Sequence, residues 1–336
     1  MNPIQPILLT LPPETAHNIA MRALGAARLL PGRVSPMAGA ERPFLGKVLK
    51  NPIGLAAGLD KNAEAVLGLA RCGFGFVEVG TVTPLAQPGN PQPRMFRLPE
   101  HQALINRMGF NNHGMHAMAR RLDRVRSGGR LDGTLLGVNL GKNKDTPNDQ
   151  AASDYVQGMG CLHNYADYFT VNLSSPNTPN LRQLQHGEPL RILLSQVKER
   201  QLALSGQSAP VPVLLKVAPD LEDDEIGQIA EQVCACEFDG IIATNTTLSR
   251  DAVAGHKHAA EAGGLSGAPL THRSVEVVSQ FRQVLPDSMT VVGVGGISSA
   301  EDAKAMLAAG AAALQIYTSF IYKGTEIVQK LVKATR

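Results

Sequence analysis

The sequence is poor in cysteine, and its few cysteines form no metal-binding pattern. Cys72, Cys161, Cys234 and Cys236 include no CxxC pair, and no histidine neighbours them at the spacing of metal ligands. A zinc site is therefore not indicated, and we expect no bound metal. Thiols of this kind are typical of buried or idle side chains in a reducing compartment.

Long hydrophobic runs and an N-terminal signal are also missing. No stretch approaches the roughly 18 apolar residues that a membrane-spanning helix requires. The first basic residue is Arg22, so the chain lacks the basic start of a signal peptide. Together these absences predict a cytosolic chain.

The sequence also lacks a strong excess of positive or negative charge. The formal net charge is only +3, and the lysines and arginines are scattered, so we expect no nucleic-acid partner. With 43% hydrophobic and 18% charged residues, the chain has enough apolar surface to fold rather than remain disordered. Its 336 residues suit one large α/β domain with a small appendage.

Short apolar, β-branched runs recur along the chain, and amphipathic helical segments separate them. Near-continuous apolar strands that alternate with helices indicate a parallel sheet with a covered outer face. Eight such units favour a closed (β/α)8 TIM barrel over an open sheet. The predicted strands are 53–57, 76–80, 135–139, 168–172, 213–217, 240–244, 290–294 and 312–317. The predicted helices are 63–70, 114–126, 152–165, 189–204, 224–236, 274–285 and 300–309.

Two common phosphate-binding motifs are absent. The nearest match to GxGxxG starts at Gly293 but has Ser298 where its last glycine should be. A P-loop ending in Gly141-Lys142 would need a glycine at Leu136. Two segments fall outside the barrel: residues 1–37 precede it, and the proline-rich residues 87–110 form a long excursion. Excursions at this end of a barrel are usually lids or pocket walls.

Polar residues follow almost every predicted strand, at the end where barrel enzymes hold their active sites. A turn or cap residue explains any one of them, but not all eight together. Gly295-Gly296 and Tyr317-Thr318 follow the last two strands, where barrels commonly bind a phosphate. Amides, hydroxyls and two lysines with few carboxylates suit a planar anionic ligand better than a metal. A flavin mononucleotide (FMN) would meet both requirements.

Five motifs, in the same order along the chain, closely resemble those of dihydroorotate dehydrogenases. They are the segments 57–61 (AGLDK), 106–112 (NRMGFNN), 172–179 (NLSSPNTP), 243–247 (ATNTT) and 293–297 (GVGGI). The N-terminal extension, and Ser175 in place of a cysteine, resemble the class-two, quinone-linked, membrane-associated branch of the family.

The resemblance implies a role for each matching position. Ser175 would be the catalytic base that removes a proton beside a carbonyl, with Thr178 as a relay, since a lone serine is a weak base. Lys216 would face the flavin and stabilise its reduced form. The implied substrate-binding residues are Lys61, Asn106, Arg107, Met108, Gly109, Phe110, Asn172, Asn177, Asn245 and Thr246. The implied FMN-binding residues are Ala57, Gly58, Leu59, Asp60, Lys61, Thr81, Asn139, Asn172, Lys216, Thr244, Gly267, Gly296, Tyr317 and Thr318.

Residues 1–37 are expected to form a helical segment that touches the membrane and gives a quinone access to a catalytic domain at 38–336. Its apolar positions, which recur at helical spacing, are Ala16, Ile19, Ala20, Ala23, Leu24, Ala27 and Leu30, extended upstream by Ile4, Ile7, Leu8, Leu9 and Leu11. Arg22 and Arg28 on the polar side suit anionic headgroups. Simple packing against the barrel is the alternative.

By resemblance, His17, Arg97 and Tyr317 would line the passage to the flavin. The implied partners are dihydroorotate and orotate, and ubiquinone or menaquinone. The implied protein is a monomer that associates peripherally with the cytoplasmic side of the inner membrane and acts in pyrimidine biosynthesis.

Three other interpretations remain open at this point. A soluble dihydroorotate dehydrogenase that uses fumarate or NAD would by resemblance carry cysteine at position 175. A barrel lyase could use Lys216 as a Schiff-base nucleophile, and it would be colourless whereas a flavoprotein is yellow. A non-catalytic binding barrel is the third, and the many polar strand ends argue against it.

Overall fold

A closed barrel of eight parallel strands lies at the centre of the computed structural model, which describes residues 4–336. The strands of the described chain are β1 (Arg42–Phe44), β2 (Lys47–Leu49), β3 (Ile53–Leu55), β4 (Phe76–Val82), β5 (Met95–Leu98), β6 (Ala103–Asn106), β7 (Leu135–Leu140), β8 (Tyr168–Asn172), β9 (Val213–Val217), β10 (Gly240–Ala243), β11 (Gly264–Gly267), β12 (Thr290–Val294) and β13 (Ala313–Ile316). The barrel runs β3, β4, β7, β8, β9, β10, β12, β13 in chain order, and β13 pairs with β3 to close it. The (β/α)8 fold and all eight predicted strands are confirmed.

Helices cover the outside of this barrel. They are α1 (Ile4–Thr10), α2 (Pro13–Ala26), α3 (Val66–Ala70), α4 (Met115–Ser127), α5 (Ala151–Leu162), α6 (Gly187–Ser205), α7 (Asp223–Ala235), α8 (Thr271–Val284), α9 (Ala300–Ala308), α10 (Thr318–Lys323) and α11 (Thr325–Ala334). The predicted helices from 114 to 309 are confirmed within a few residues. The helix predicted at 63–70 begins only at Val66, because Ala63 has a positive φ of 57° and the Asp60 carboxylate accepts the N–H groups of Glu64 and Ala65.

The barrel interior changes from apolar to polar along its axis. The hairpin of β1 and β2 covers the amino end, where Phe44 stacks on Phe76 and meets the edge of Tyr168. Further along, the fully buried Glu78 accepts hydrogen bonds from four side chains, those of Asn139, Tyr168, Thr170 and Gln315. Hydrophobic packing thus closes the amino end of the barrel, and polar side chains lie toward its carboxyl end.

The excursion at 87–110 is a structured wall rather than a bare loop. Its strands β5 and β6 pair antiparallel, and β6 also pairs with β11, which lies some 160 residues further along the chain. The sheet β5-β6-β11 has its own apolar cluster, which includes Phe96, Leu98 and Ile105. It stands beside the carboxyl ends of the barrel strands, as the prediction of a pocket wall requires.

Helices α1 and α2 pack against the barrel through polar and apolar contacts. Glu14 forms an ion pair with Arg94 at 2.6 Å, and Arg97 donates hydrogen bonds to the carbonyls of Leu9 and Leu11. Helix α2 also approaches α3 closely at Gly68, where a Cβ atom would lie 2.1 Å from the Leu24 carbonyl oxygen.

The predicted apolar stripe is only partly buried. Ala16, Ala20, Ala23 and Leu24 face inward, toward a cavity described below. Ile19 and Leu30 remain 45% and 53% exposed. Leu30 departs from the pattern because α2 ends at Ala26 and a 3-10 turn follows. The side chain of Ile4 lies outside the described part of the chain.

The turn after α2, residues 28–32, is fixed to the barrel by two arginines. Arg71 donates to the carbonyls of Leu30 and Pro31, and Arg130 donates to those of Arg28, Leu30 and Gly32. The Leu29 side chain nevertheless points into solvent with 77% of its surface exposed. The backbone of this turn is therefore restrained while its apolar side chains stay free.

Within residues 4–336, no helix has the length and hydrophobicity needed to cross a bilayer.

Candidate active site

A deep pocket opens at the carboxyl ends of the barrel strands, between them and the sheet β5-β6-β11. Most of the residues that the sequence assigned to the site line it. They are Ala57, Gly58, Lys61, Thr81, Asn106, Met108, Gly109, Phe110, Asn172, Ser175, Asn177, Lys216, Thr244, Asn245, Thr246, Gly267, Gly296, Tyr317 and Thr318. The barrel brings these distant segments together because parallel strands end at a common edge.

Leu59, Asp60, Arg107 and Asn139 have side chains that do not line the pocket. The Arg107 guanidinium lies 4.7 Å from the centre of the Phe96 ring and pairs with Glu261 at 2.6 Å. Asp60 is buried and accepts backbone N–H groups of its own loop, and burial raises its pKa. Leu59 faces a second cavity.

Asn139 lies below the pocket floor and orients the side chains above it. Its carbonyl accepts hydrogen bonds from the Thr81 hydroxyl at 2.5 Å and from the Asn172 amide at 3.1 Å. Its own amide donates to Glu78 at 2.8 Å. Asn139 therefore supports the pocket from below without lining it, and its assignment as an FMN-binding residue stays a prediction.

Asparagine amides form one side of the pocket. Asn177 donates to Asn106 at 3.3 Å, and Asn245 donates to the Ser174 hydroxyl at 2.9 Å and to Asn172 at 3.4 Å. The Thr246 hydroxyl is buried and has no hydrogen-bond partner within the described chain. Such a surface offers both donors and acceptors to a flat ring that carries amide groups.

Ser175 lies beside this amide surface, in the loop after β8. Its side chain is buried, and its hydroxyl accepts the backbone N–H of Asn177 at 3.2 Å. Thr178 is buried nearby in the same loop, but its hydroxyl makes no direct hydrogen bond to Ser175 within residues 4–336. A relay through Thr178 stays a prediction.

Two buried lysines supply positive charge. The Lys61 ammonium donates to the Gly58 carbonyl at 2.6 Å, and burial, together with the nearby Arg94 charge, lowers its pKa to about 8. Burial also lowers the pKa of Lys216, whereas the Glu78 carboxylate acts in the opposite direction. Lys216 makes no hydrogen bond within the described residues, so its ammonium is available to a ligand.

The far end of the pocket has the features of a phosphate site. Gly296 has a φ of 75°, and a Cβ atom there would lie 2.1 Å from the Thr271 hydroxyl, so only glycine fits this turn of the pocket wall. The Thr318 hydroxyl meets that of Ser266 at 2.9 Å. The Ser319 hydroxyl is buried without a partner in the described chain.

Sequence reasoning missed several polar residues that line the pocket, including Ser266, Gln315 and Ser319. Gln315 could have been found, because it is a polar residue within the apolar strand β13 and all four residues of that strand are buried. Ser266 could not, because β11 reaches the site only through its pairing with β6.

A second cavity of about 240 Å³ lies between α1, α2 and the barrel. His17 and Arg97 line it together with apolar side chains, whereas Tyr317 lines the first pocket. Burial lowers the pKa of His17 to about 3, so its ring is neutral at physiological pH. The two cavities share a wall. Gly58 and Ser319 line the first pocket, and the residues that follow them, Leu59 and Phe320, line the second cavity.

Within residues 4–336, no cluster of three or more histidine, cysteine or acidic side chains could hold a metal ion.

Comparisons with known proteins agree with this geometry. A family model described as Dihydroorotate dehydrogenase matches residues 40–335. The Dihydroorotate dehydrogenase (quinone) of Marinobacter nauticus is 50% identical over 335 residues, which cover 98% of this chain and 97% of that protein. The protein of the same name from Xanthomonas oryzae pv. oryzae is 50% identical over 339 residues, which cover 99% and 95%.

Solved structures are similar as well. The structure of DHODH from Eimeria tenella in complex with ferulenol has a TM-score of 0.87 and 39% identity, covering 95% of this chain and 89% of that one. A ligand-free DHODH structure from the same organism has a TM-score of 0.86, also at 39% identity.

Proposed function

The chain belongs to the dihydroorotate dehydrogenase family, and from that premise we propose that it oxidises (S)-dihydroorotate to orotate in pyrimidine biosynthesis, with a quinone as electron acceptor. The observation that carries this proposal is the first pocket, where buried Ser175 and Lys61 lie beside asparagine amides. A ring with a carboxylate, two amide edges and an acidic C–H group fits those side chains.

FMN fits the remainder of the same pocket. The Gly295-Gly296 backbone, which lines this end of the pocket, and the unpartnered Ser319 hydroxyl suit its phosphate, and Ser266, Gly267 and Thr318 line the same end. Thr81, Lys216 and Thr244 would contact its ring system. When bound, a flavin would serve as the acceptor for the hydride that leaves the substrate.

Lys61 and the amides hold the substrate. The Lys61 ammonium pairs with the substrate carboxylate, a charge-assisted contact that fixes one end of the ring. Asn106, Asn172, Asn177 and Asn245 bind its amide edges, and the free Thr246 hydroxyl supplies one more hydrogen bond. Met108, Gly109 and Phe110 form the wall that excludes water on the side of the proline-rich excursion.

Ser175 removes the proton from the substrate carbon beside the carbonyl. Its hydroxyl is oriented by the N–H of Asn177, and it passes the proton onward through Thr178 or a water. The Lys216 side chain lines the same pocket, where it would stabilise the negative charge that develops on reduction.

Electrons leave through the second cavity. The shared wall at Gly58 and Leu59 brings a quinone head group in that cavity close to the first pocket. Its largely apolar lining suits ubiquinone or menaquinone, and its polar lining residues include Arg97, Gln5, Thr325 and His17, whose ring is neutral. In this proposal, residues 1–37 form the quinone-access segment and residues 38–336 form the catalytic domain.

We also propose that the same segment associates peripherally with the membrane, on its cytoplasmic side. The exposed Ile7, Ile19, Leu29 and Leu30 present apolar surface, and the exposed Arg28 suits anionic headgroups.

One experiment separates this function from its rivals. The purified protein should be yellow, should release about one FMN per chain on heating, and should bleach when dihydroorotate is added without oxygen. A lyase that uses Lys216 as a Schiff base would be colourless and would be trapped by borohydride with its carbonyl substrate. A yellow protein that dihydroorotate does not bleach would refute the proposed reaction.

A further inference from the structure

We propose that Arg182 and Asp220 are a positioning pair that holds the Ser175 loop in register with the Thr246 loop for proton removal. The inference rests on the proposed function and adds residues that touch neither substrate nor cofactor. Arg182 lies in the 3-10 segment Leu181–Gln185, directly after the Ser175 loop.

The Arg182 guanidinium joins three separate loops with its three nitrogen atoms. Nε donates to the Ser174 carbonyl at 2.9 Å, and Nη2 donates to the Thr246 carbonyl at 2.7 Å. Nη1 pairs with the Asp220 carboxylate at 2.7 Å. The acceptors follow β8, β10 and β9, so one planar side chain connects three neighbouring strand ends.

Asp220 extends the connection further along the β10 loop. Its carboxylate accepts hydrogen bonds from the Thr247 hydroxyl and, at 3.1 Å, from the Leu248 backbone N–H. Because Asp220 binds Arg182, the Thr247 hydroxyl and the Leu248 N–H, it fixes the guanidinium and the loop against each other. A planar guanidinium that donates to several fixed acceptors provides geometric precision as well as attraction.

The two bound carbonyls belong to positions that matter for the reaction. Ser174 immediately precedes Ser175, and Thr246 carries the buried hydroxyl that lacks a partner in the described chain. Arg182 itself does not line the pocket. Displacing a reacting group by about 1 Å is enough to slow a reaction by roughly 10²-fold. Loss of the guanidinium would therefore affect proton removal without removing any group that binds FMN.

The chain offers a matched control at the opposite end of the barrel. Arg126 donates through Nε and Nη2 to the Tyr165 carbonyl, at 2.9 and 2.6 Å, and pairs with Asp167 at 2.8 Å. Asp167 directly precedes β8, at its amino end. Arg126 thus has the same kind of acceptors and a similar partial burial, but it lies far from the pocket.

The test compares the flavin-loaded variants R182Q, R182K, D220N and R126Q. Stopped-flow absorbance measures anaerobic flavin reduction by saturating dihydroorotate, and a second mixing measures reoxidation by a quinone. We expect R182Q to slow reduction by about 10²-fold with reoxidation unchanged. R182K, which keeps the charge but lacks the planar fork, should recover part of the loss, and D220N should lose less than R182Q. R126Q should lower the melting temperature and leave both rates unchanged.

Three outcomes would overturn the positioning role. They are wild-type reduction in R182Q, an equal slowing of both half-reactions, and the same slowing in R126Q. If R182Q does not retain flavin, R182K and D220N provide the test instead. Flavin reduction at the wild-type rate in both variants would contradict the proposal. Wild-type protein that dihydroorotate does not reduce would instead refute the proposed function.

Discussion

Lys61 combines burial with a task that requires charge. Burial lowers its pKa to about 8, so the free pocket loses positive charge as the pH rises through that value. We predict that the dissociation constant of orotate is flat below about pH 7 and rises about tenfold per pH unit above pH 8, as expected for one titrating group. Fluorescence or flavin-absorbance titration across pH measures this.

Two variants serve as controls for the Lys61 prediction. K61R keeps its charge at all accessible pH values, so its dissociation constant should stay level through about pH 10. K61A should bind orotate more weakly by about 1.5 to 3 kcal/mol at neutral pH, the usual size of a charge-assisted contact. The assignment of Lys61 to the carboxylate fails if K61A binds as tightly as the wild type.

Ser175 is the residue that we propose as the base of the chemical step. We predict that Ser175→Ala retains flavin and orotate binding but slows anaerobic flavin reduction at least about 10²-fold, the scale of losing a positioned base. Ser175→Cys keeps a group that can take up a proton and should be less impaired. Thr178→Val tests the relay, and reduction in S175A at the wild-type rate would rule out Ser175 as the base.

The alternation of side chains along a strand explains why some residues assigned to the site line the pocket and others point away from it. In an extended segment successive side chains point to opposite sides. Asn106 and Met108 face the pocket, and Arg107 between them faces Phe96 and Glu261 instead. A motif names neighbouring residues together, but only the backbone direction decides which of them enters the site.

At the scale of elements, α2 and α3 pack closely at Gly68, which leaves no room for a side chain there. We predict that Gly68→Ala displaces α2, because the new Cβ would lie 2.1 Å from the Leu24 carbonyl oxygen. Flavin reduction by dihydroorotate should stay near the wild-type rate, and reoxidation by a long-chain quinone should slow. Double-mixing stopped flow measures both steps.

Gly227→Ala is the matched control, since Gly227 lies within α7 and a Cβ there meets no atom within 4 Å. Alanine in an exposed helix should stabilise the protein by up to about 1 kcal/mol and change neither half-reaction. Unaltered quinone kinetics in Gly68→Ala would mean that the α2–α3 contact does not shape the second cavity.

The elements that the sequence predicted are those whose burial leaves a local pattern. Strand β4 is buried at all seven positions, and its apolar residues Phe76, Val77, Val79 and Val82 lie close enough together for a single window to detect the strand despite Glu78 and Thr81. Strand β11 escaped prediction because its pairing with β6 joins distant segments, whereas β5 and β6 pair locally but are only four residues long each. Helix α11 was missed although Ile327, Val328, Leu331 and Val332 repeat at helical spacing, a pattern that the sequence does contain.

For the whole molecule, the central prediction concerns the N-terminal segment. A truncation should begin at Val34, because this residue is buried and its N–H donates to the Arg130 carbonyl at 2.7 Å. Without residues 1–33, flavin reduction by dihydroorotate should continue while reoxidation by a long-chain quinone collapses, and vesicle binding should decrease. Stopped flow and co-sedimentation with anionic vesicles measure these effects.

A full-length variant guards the truncation experiment against misfolding. Ala20 lines the second cavity, so Ala20→Phe fills part of that space without removing the helices. It should slow quinone reoxidation and leave vesicle binding intact. If both the yellow truncation and Ala20→Phe react with quinone at wild-type rates, residues 1–33 serve only as packing.

The restrained turn at residues 28–32 has a consequence for how the protein is degraded. Arg28 and Arg33 are exposed sites for a trypsin-like protease, yet Arg71 and Arg130 hold the carbonyls between them. A protease must bind the backbone in an extended form, so cleavage requires that this turn first opens locally. Cutting here would separate the quinone-access helices from an intact barrel that could still reduce its flavin but not pass the electrons to a membrane quinone. We therefore expect the two arginines to slow cleavage at this turn, and on the proposed function such cleavage would uncouple dihydroorotate oxidation from quinone reduction.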